Sequence, residues 1–292
     1  MPYQNMIHKI PAMLVPFPAH GGPNIRMRRY NRLPSSKVPL GNTGITPPAT
    51  QLTAVDIDAR MSFYGQYIEI NEQVTLQAQD PVLNQAVIRL GHALRQTEDE
   101  LTRDMLASTA SFINCSGGGN GDNPSDVTEA SINLVTTTLL GNDARTILDN
   151  MPGEMKIGTA PVRNTFLAMC HTDLTDDLAN LPNFIHNSAY PSQQNVMPSE
   201  WGTLNNMRFM VSSLGSVNQN GSNQGNKVYN IFCVGMEAYS CIKQDNYSAQ
   251  FIYRPPIYSG PLAMNCTVGY KFAEVPRITN DLWLISLRAT HS

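Results

Sequence analysis

One stretch of the chain keeps a helical period for longer than any other. Between Asp80 and about Asn114 (DPVLNQAVIRLGHALRQTEDELTRDMLASTASFIN), Leu83, Val87, Leu90, Leu94, Leu101 and Met105 recur at spacings that bring them to one face, while Arg89, Gln96, Asp99 and Arg103 fall elsewhere. Asp80 suits the capping position, and Pro81 suits the first turn, where its missing N–H is no loss. The pattern predicts a helix over 80–114, which at about 1.5 Å per residue would reach roughly 50 Å. That is longer than a compact domain of ordinary proportions needs.

Ahead of this helix the period falls towards two. Leu52, Val55, Ile57, Met61, Phe63, Tyr67, Ile68 and Ile70 alternate with slips, as a long bulged strand would, and a tip rich in Pro, Gly, Ser and Thr from Pro34 to Thr50 separates them from an earlier extended arm. These segments predict a long β-hairpin over 26–67, with about 20 residues per arm at roughly 3.3 Å each. A lone two-stranded ribbon is barely stable in water, so it needs a surface to lie on. Residues 1–25 hold many prolines and glycines among isolated apolar side chains and read as an arm. It is either a loose end or is docked, on its own body or on a neighbouring copy.

The remaining chain alternates short elements. The glycine-rich CSGGGNGDNPSD reads as a linker, because no Lys-Ser/Thr pair follows it and no strand precedes it. Ser125 or Asp126 then caps a second helix with Val127, Ala130, Ile132, Leu134, Val135 and Leu139 as buried candidates, ending at Gly141-Asn142. Arg145–Leu148 extends that helical region, Phe166–Cys170 is a buried strand, and His171–Leu181 is a short capped helix. Met207–Ser212 and Val228–Val234 are strands, the latter followed by a short helix over MEAYSCIK. Gln250–Arg254, Cys266–Phe272 and Leu282–Ala289 are strands, the last two joined across Pro276 and Thr279–Asp281.

Composition narrows the function classes. Charged residues make up 15% of the 292 and the formal net charge is −3, so no basic surface favours sequence-specific DNA binding. Five cysteines without a C-x-x-C pair read as free thiols. No run of apolar residues reaches membrane-spanning length, and prolines interrupt the amino-terminal apolar run, so neither a membrane span nor a signal peptide is expected. Cys170-His171 is the only adjacent thiol and imidazole, but neighbours on a strand point to opposite faces and would not pair. Asp173, Asp176 and Asp177 suit a helix amino end better than a cation site. The six histidines show no metal spacing and no G-x-S-x-G is present. No catalytic residue, metal or cofactor is expected, and the chain does not read as an enzyme. What stands out is a basic cluster on the hairpin, Arg26, Arg28, Arg29 and Arg32, facing in sign an acidic cluster on the long helix, Glu98, Asp99, Glu100 and Asp104. Such clusters either set register between copies of the chain or are solvated faces worth little.

Arm, basic hairpin, long helix, βα module and closing strands come in an order that resembles the major capsid proteins of tailed bacteriophages, specifically the N-four-like podophage group with the Hong Kong 97-like fold. The resemblance rests on Tyr67-Ile68-Glu69-Ile70 followed by Asp80-Pro81-Val82, and on Pro261-Leu262, Gly269-Tyr270-Lys271-Phe272 and Ile278-Thr279-Asn280-Asp281. It covers most of 35–289 and departs from the family at the polar stretch around Val217–Lys227. It implies an α+β chain with an N-terminal arm (1–25), an extended loop (26–67), a peripheral domain holding the spine helix (68–124), an axial domain (125–249) and peripheral return strands (250–292). It further implies self-assembly through pentamers and hexamers into an icosahedral shell around packaged double-stranded DNA, bound without sequence preference. The shell would assemble in the host cytoplasm with portal, scaffolding and decoration proteins as partners and no membrane. The scaffold is expected as a separate protein, since no long helical leader is seen. Lys37, near the hairpin tip, joins the arginine and acidic clusters as an expected inter-subunit contact. An encapsulin-like nanocompartment shell, a β-rich tail or attachment protein and a Cys-dependent hydrolase are the alternatives.

Overall fold

The computed structural model describes residues 6–18, 22–37, 49–77, 81–109, 111–115, 123–147, 165–190, 196–197, 199–219, 226–244, 249–256, 262 and 264–291. In chain order, a turn at 7–12 leads into β1 (Met13–Phe17), followed by β2 (Asn24–Tyr30), β3 (Ala54–Arg60), β4 (Ser62–Asn71), α1 (Glu72–Gln77) and the long α2 (Val82–Ala107). Next come β5 (Phe112–Asn114), α3 (Glu129–Gly141), β6 (Phe166–His171), α4 (Thr175–Ala179), β7 (Ile185–His186), β8 (Glu200–Leu204), β9 (Met207–Ser212) and β10 (Val217–Asn218). The chain closes with β11 (Val228–Val234), β12 (Tyr239–Gln244), β13 (Gln250–Arg254), β14 (Asn265–Ile278) and β15 (Leu284–Ala289).

Two sheets and a ribbon hold these elements. The larger sheet runs β5-β15-β11-β6-β9-β8-β7, with β10 beside β11. Its central strands are apolar on both faces, as strands covered on both sides must be. Phe166, Ala168 and Cys170 of β6 meet Ile132, Val135 and Leu139 of α3 and Leu174 and Leu178 around α4. The intervening Leu167 and Met169 meet Ile7 and Ala12 of the arm, Leu106 of α2, and Tyr239 and Cys241 of β12. In the smaller sheet β14 pairs antiparallel with β4 over Asn265–Glu274, while β13 and β12 take successive stretches of its other edge and β1 adds parallel to β12. Leu90 and Leu94 of α2 lie on Val268, Tyr270 and Phe272 of β14. The ribbon β2-β3 packs its inner face, Ile25, Met27 and Ala59, on Phe17 and Ile242.

Several expectations are revised. The helix ends at Ala107, about 39 Å from its start at 1.5 Å per residue. Ser108 closes it, and Phe112–Asn114 instead extends beside β15, where β-branched and aromatic side chains fit a half-buried pleat. The Asp80 cap lies outside the described residues, as do the hairpin tip at 38–48, most of the glycine-rich linker, Leu148 and Pro261. Val87, placed on the apolar stripe, is exposed, whereas Asp99 is buried. Thr128, rather than Ser125 or Asp126, caps α3 by accepting from Ser131 N–H, and Ala130 and Leu134 face outwards. Arg145–Ile147 is not helical, and Ile147 bridges to Thr165. The expected helix over MEAYSCIK is a turn and the strand β12: Glu237 takes a left-handed φ of 62°, which no right-handed helix tolerates, and Tyr239 and Ile242 are buried against different clusters. Pro276 lies inside β14 past the last β4 pair, Glu274–Ser62, so its missing N–H breaks no ladder on that edge. The returning hairpin arm divides at Met61: β3 pairs with β2, and β4 joins the smaller sheet.

One join is carried by a buried ion pair and another by polar contacts near the surface. Glu200 accepts from Arg208 Nη2 at 2.6 Å and Nε at 2.9 Å, from the Tyr190 hydroxyl at 2.9 Å and from Met197 N–H at 2.8 Å, all inside the protein. Breaking such a pair from one side strands a buried charge, so Arg208→Ala is expected to lower stability by about 3–5 kcal/mol in urea unfolding, while a Glu200→Leu/Arg208→Met double variant recovers only part of it, because the Tyr190 hydroxyl and Met197 N–H lose their acceptor. At the carboxyl end Thr290 donates to Asp126 Oδ1 at 3.0 Å and His291 Nδ1 lies 2.8 Å from Asp177 Oδ2. That hydrogen bond raises the His291 pKa above its ordinary value. A raised histidine pKa contributes stability that is full below about pH 6.5 and is lost as pH rises through the folded value. An NMR titration of His291 is expected to show a midpoint above about 6.5 that falls in Asp177→Asn.

Candidate assembly surfaces

The ribbon's basic residues are answered within the ribbon. Arg26 sits opposite Asp58 and Arg28 opposite Asp56, because β2 and β3 pair with Met27 against Ile57. Arg26 Nε donates to Asp58 Oδ1 at 2.7 Å and Arg28 Nε to Asp56 Oδ1 at 2.8 Å. These hydrogen bonds hold both carboxyls below their ordinary pKa, with Arg28 the main cause at Asp56 and Arg26 at Asp58. All four side chains are solvent-exposed, so each pair adds little stability and serves to fix register. The signal was present in the sequence as Arg-x-Arg against Asp-x-Asp at the same two-residue spacing.

Arg29 and Arg32 tie the ribbon to the body instead. Arg29 Nη1 donates to the Thr279 carbonyl at 3.2 Å and to Asn280 Oδ1 at 2.5 Å, and Arg32 pairs with Asp143. Lys37, the last described residue before the tip, is exposed. Beyond this anchorage Tyr30, Leu33, Leu52 and Val55 expose 41–60% of their surface. That is a concentration of apolar area on a thin two-stranded element.

On the helix the four acids separate into two pairs with different surroundings. Glu98 and Asp99 are buried and held by the amino-terminal arm: Asp99 accepts from His8 N–H at 2.8 Å and lies 2.7 Å from its Nδ1, and Lys9 Nζ lies 2.9 Å from Glu98 Oε2. Lys9 also reaches Glu274 Oε2 at 2.8 Å. Burial alone would lower the Lys9 pKa, but Glu274 and Glu98 outweigh it and hold the ammonium charged. Burial raises the Glu274 carboxyl, against the pull of Lys9. The expectation that Glu98 and Asp99 face a neighbouring copy is therefore corrected, because the arm consumes both charges. Glu100 accepts from Gln96 at 2.8 Å, Asp104 pairs with the adjacent Arg103, and only these two remain near the surface. The arm's role was missed because one histidine and one lysine in a proline-rich stretch carry no periodicity.

Cys170 Sγ donates to the Met210 carbonyl at 3.4 Å, and burial pushes its pKa up to about 12. The His171 ring lies at the edge, its Nδ1 accepting from Asp173 N–H at 3.1 Å. Asp173 accepts from the Tyr229 hydroxyl and Asp177 pairs with His291. Among the described residues no three His, Cys, Asp or Glu side chains are grouped to hold a metal ion.

The phage capsid protein family profile matches residues 54–237, more than half of the chain. No curated protein sequence matches. Among solved structures, the capsid of Ralstonia phage GP4 is similar with a TM-score of 0.72 at 11% identity, covering 98% of this chain and 89% of that one. The capsid of Helicobacter pylori bacteriophage KHP30 is similar with a TM-score of 0.66 at 10% identity, covering 95% and 87%. An encapsulin from Synechococcus elongatus is similar with a TM-score of 0.59 at 7% identity, covering 94% and 84%. The chain belongs to the phage capsid protein family and is a major capsid protein of the virion shell.

Proposed function

We propose that this chain builds a Hong Kong 97-like shell of the N-four-like podophage type, in which each ribbon lies across the next subunit of a pentamer or hexamer. The observation that carries this is the ribbon's exposed outer end, where Tyr30, Leu33, Leu52 and Val55 are attached to a ribbon of seven paired residues among those described. Two strands of that length do not hold an apolar surface in water unaided, and a neighbouring copy supplies cover. On this reading α1, α2 and the smaller sheet with β4 and β12–β14 form the peripheral domain, and α3, α4 and the larger sheet, into which β15 returns, form the axial domain towards the capsomer centre, so the sequence boundaries 125–249 and 250–292 shift at β12 and β15. Arg26 and Arg28, exposed although each is paired within the ribbon, act with Lys37 and with Glu100 and Asp104 on α2 to set register between subunits rather than to hold them together.

The shell encloses double-stranded DNA, with portal, scaffolding and decoration proteins as further partners, and is put together in the host cytoplasm. Its role is structural rather than catalytic. A net charge of −3 fits a wall that must let packaged DNA slide, since a strongly basic lining would grip it at many phosphates. The encapsulin likeness favours a second reading, a cellular compartment of the same fold. Shells purified from producing cells distinguish the two: nuclease-protected DNA fits the first, and a protein cargo fits the second.

Replacing residues 32–52 by Asn-Gly removes the ribbon's outer end and leaves its base. The variant is expected to keep the parent's thermal unfolding midpoint within a few degrees yet form no shells by negative-stain microscopy. Shells of normal yield would overturn the reading. Reversal of Glu100 and Asp104 to lysine is expected to cut assembly several-fold at low salt and to be partly restored by Arg28→Glu/Asp56→Arg, which keeps the ribbon's own pair while changing its order.

A further inference from the structure

The free edge of the smaller sheet is unusual. β13 ends the sheet, and all five of its residues, Gln250-Phe251-Ile252-Tyr253-Arg254, are exposed, although three are strong strand formers with large apolar side chains. Natural proteins blunt such edges with charge, proline or a covering element, because unpaired backbone N–H and C=O groups along a flat apolar strand recruit another strand. Among the described residues nothing pairs with this edge. Its register against β14 fixes which way each side chain points. Phe251 opposes Tyr270 and Tyr253 opposes Val268, residues buried under α2, so both aromatic side chains are on the helix side. Ile252 opposes Gly269 and is on the other side, with Gln250 and Arg254. The Phe251 ring comes close to α2 at Gly91, where an added Cβ would be 3.9 Å from Cζ. Ile88, one turn before Gly91 on the same helix face, is also half exposed. An aromatic layer thus begins over β14 and stops unfinished at the edge.

We propose that β13 is a two-fold interface at which a second copy of this chain adds its own β13 antiparallel, joining the two sheets across subunits. The strand is complementary to itself in one register. With Ile252 opposite Ile252, Phe251 meets Tyr253 in both copies, which completes the aromatic layer on the helix side with pairs of the kind that stabilise adjacent strands. Gln250 meets Arg254, an amide able to accept from a guanidinium. Parallel addition in register would instead set Arg254 beside Arg254. Because directly opposed residues share a face, this register also leaves both copies' α2 helices on the same side of the joined sheet, and a one-residue slip would turn the aromatic side chains away. The interface is isologous, so it closes on itself after two copies, unlike the heterologous ribbon contacts that build a ring. It rests on the shell reading only for its place, between neighbouring capsomers.

Cysteine pairing tests this directly, because the native thiols Cys115, Cys170, Cys233, Cys241 and Cys266 are all buried. Directly opposed residues of antiparallel strands have Cα atoms about 4.5–5.5 Å apart, within disulfide reach. Ile252→Cys is expected to give predominantly covalent dimers on mild oxidation of assembled particles. Gln250→Cys alone and Arg254→Cys alone should not, since each would lie about 14 Å from its own copy along the strand. Particles co-assembled from those two variants should cross-link. Ile252→Lys should leave subunits folded while capsomers accumulate in place of shells. Absence of the Ile252→Cys dimer in intact shells, or equal dimer yield from Gln250→Cys alone, overturns the interface and leaves the shell reading standing. If the parent chain forms no shells, the shell reading fails, and the same cross-links in concentrated unassembled protein still decide whether β13 pairs with itself.

Discussion

β14 is the beam on which the rest of the structure depends. Its fourteen residues pair with β4 along one edge and with β13 and then β12 along the other, while Val268, Tyr270 and Phe272 seat the long helix. A single strand therefore fixes the position of the helix, the root of the ribbon through β4, and the entry of the arm through β12 and β1. Its unbroken length depends on Pro276 falling where β4 has ended, so the ladder continues on one side when it can no longer continue on both. A proline earlier in β14 would remove a bond from a doubly paired strand and split the beam where α2 rests on it.

The arm shows how charge is used when it is taken out of water. Lys9 lies between Glu98 and Glu274, and His8 is clasped by Asp99 from two of its atoms, with the Tyr239 hydroxyl donating to its carbonyl. Buried ion pairs of this sort are weak evidence for net stability, but they are specific, because any other placement of the arm leaves several buried charges unanswered. An apolar arm would find many positions on the sheet. This one finds a single position, and it bridges α2 to the strands beneath it.

Elements whose period matched one buried face were legible in the sequence, and those shaped by distant partners were not. β6, β9 and β11 were legible because strands covered on both sides become continuous apolar runs, and β13 matched its expected bounds, whereas β14 runs on through Pro276, expected as part of a connection, and β15 begins at Leu284 after a short turn. β12 read as a helix because Tyr239, Cys241 and Ile242 fit either period over so short a stretch, and only the left-handed turn at Glu237 and the neighbouring β1 and β14 resolve it. The long helix was overextended because Thr109–Asn114 has no breaker, and its departure from helix is decided by β15. The charged clusters were visible as clusters, but their partners were not. Asp56 and Asp58 lie about thirty residues from the arginines they pair with, His8 and Lys9 lie some ninety residues from Asp99 and Glu98, and Glu274 lies 265 residues from Lys9, separations that local pattern does not span.

Two kinds of unfinished surface distinguish this chain from a self-sufficient monomer, and they differ in what can finish them. Among the described residues the ribbon's outer end has no mirror of itself, so on the proposed reading a different part of the neighbour covers it, and repetition of that contact generates a ring. The β13 edge is its own complement, so its contact stops at two copies. A closed shell needs both operations, since rings alone leave separate capsomers and two-fold contacts alone leave dimers. The ribbon's exposed charge is answered within the chain, Arg26 by Asp58 and Arg28 by Asp56, and Lys9 is buried with its two glutamates, so charge serves only register while apolar area and strand edges hold copies together. Such contacts are only weakly screened by salt, and a container that must persist outside a cell gains from that insensitivity.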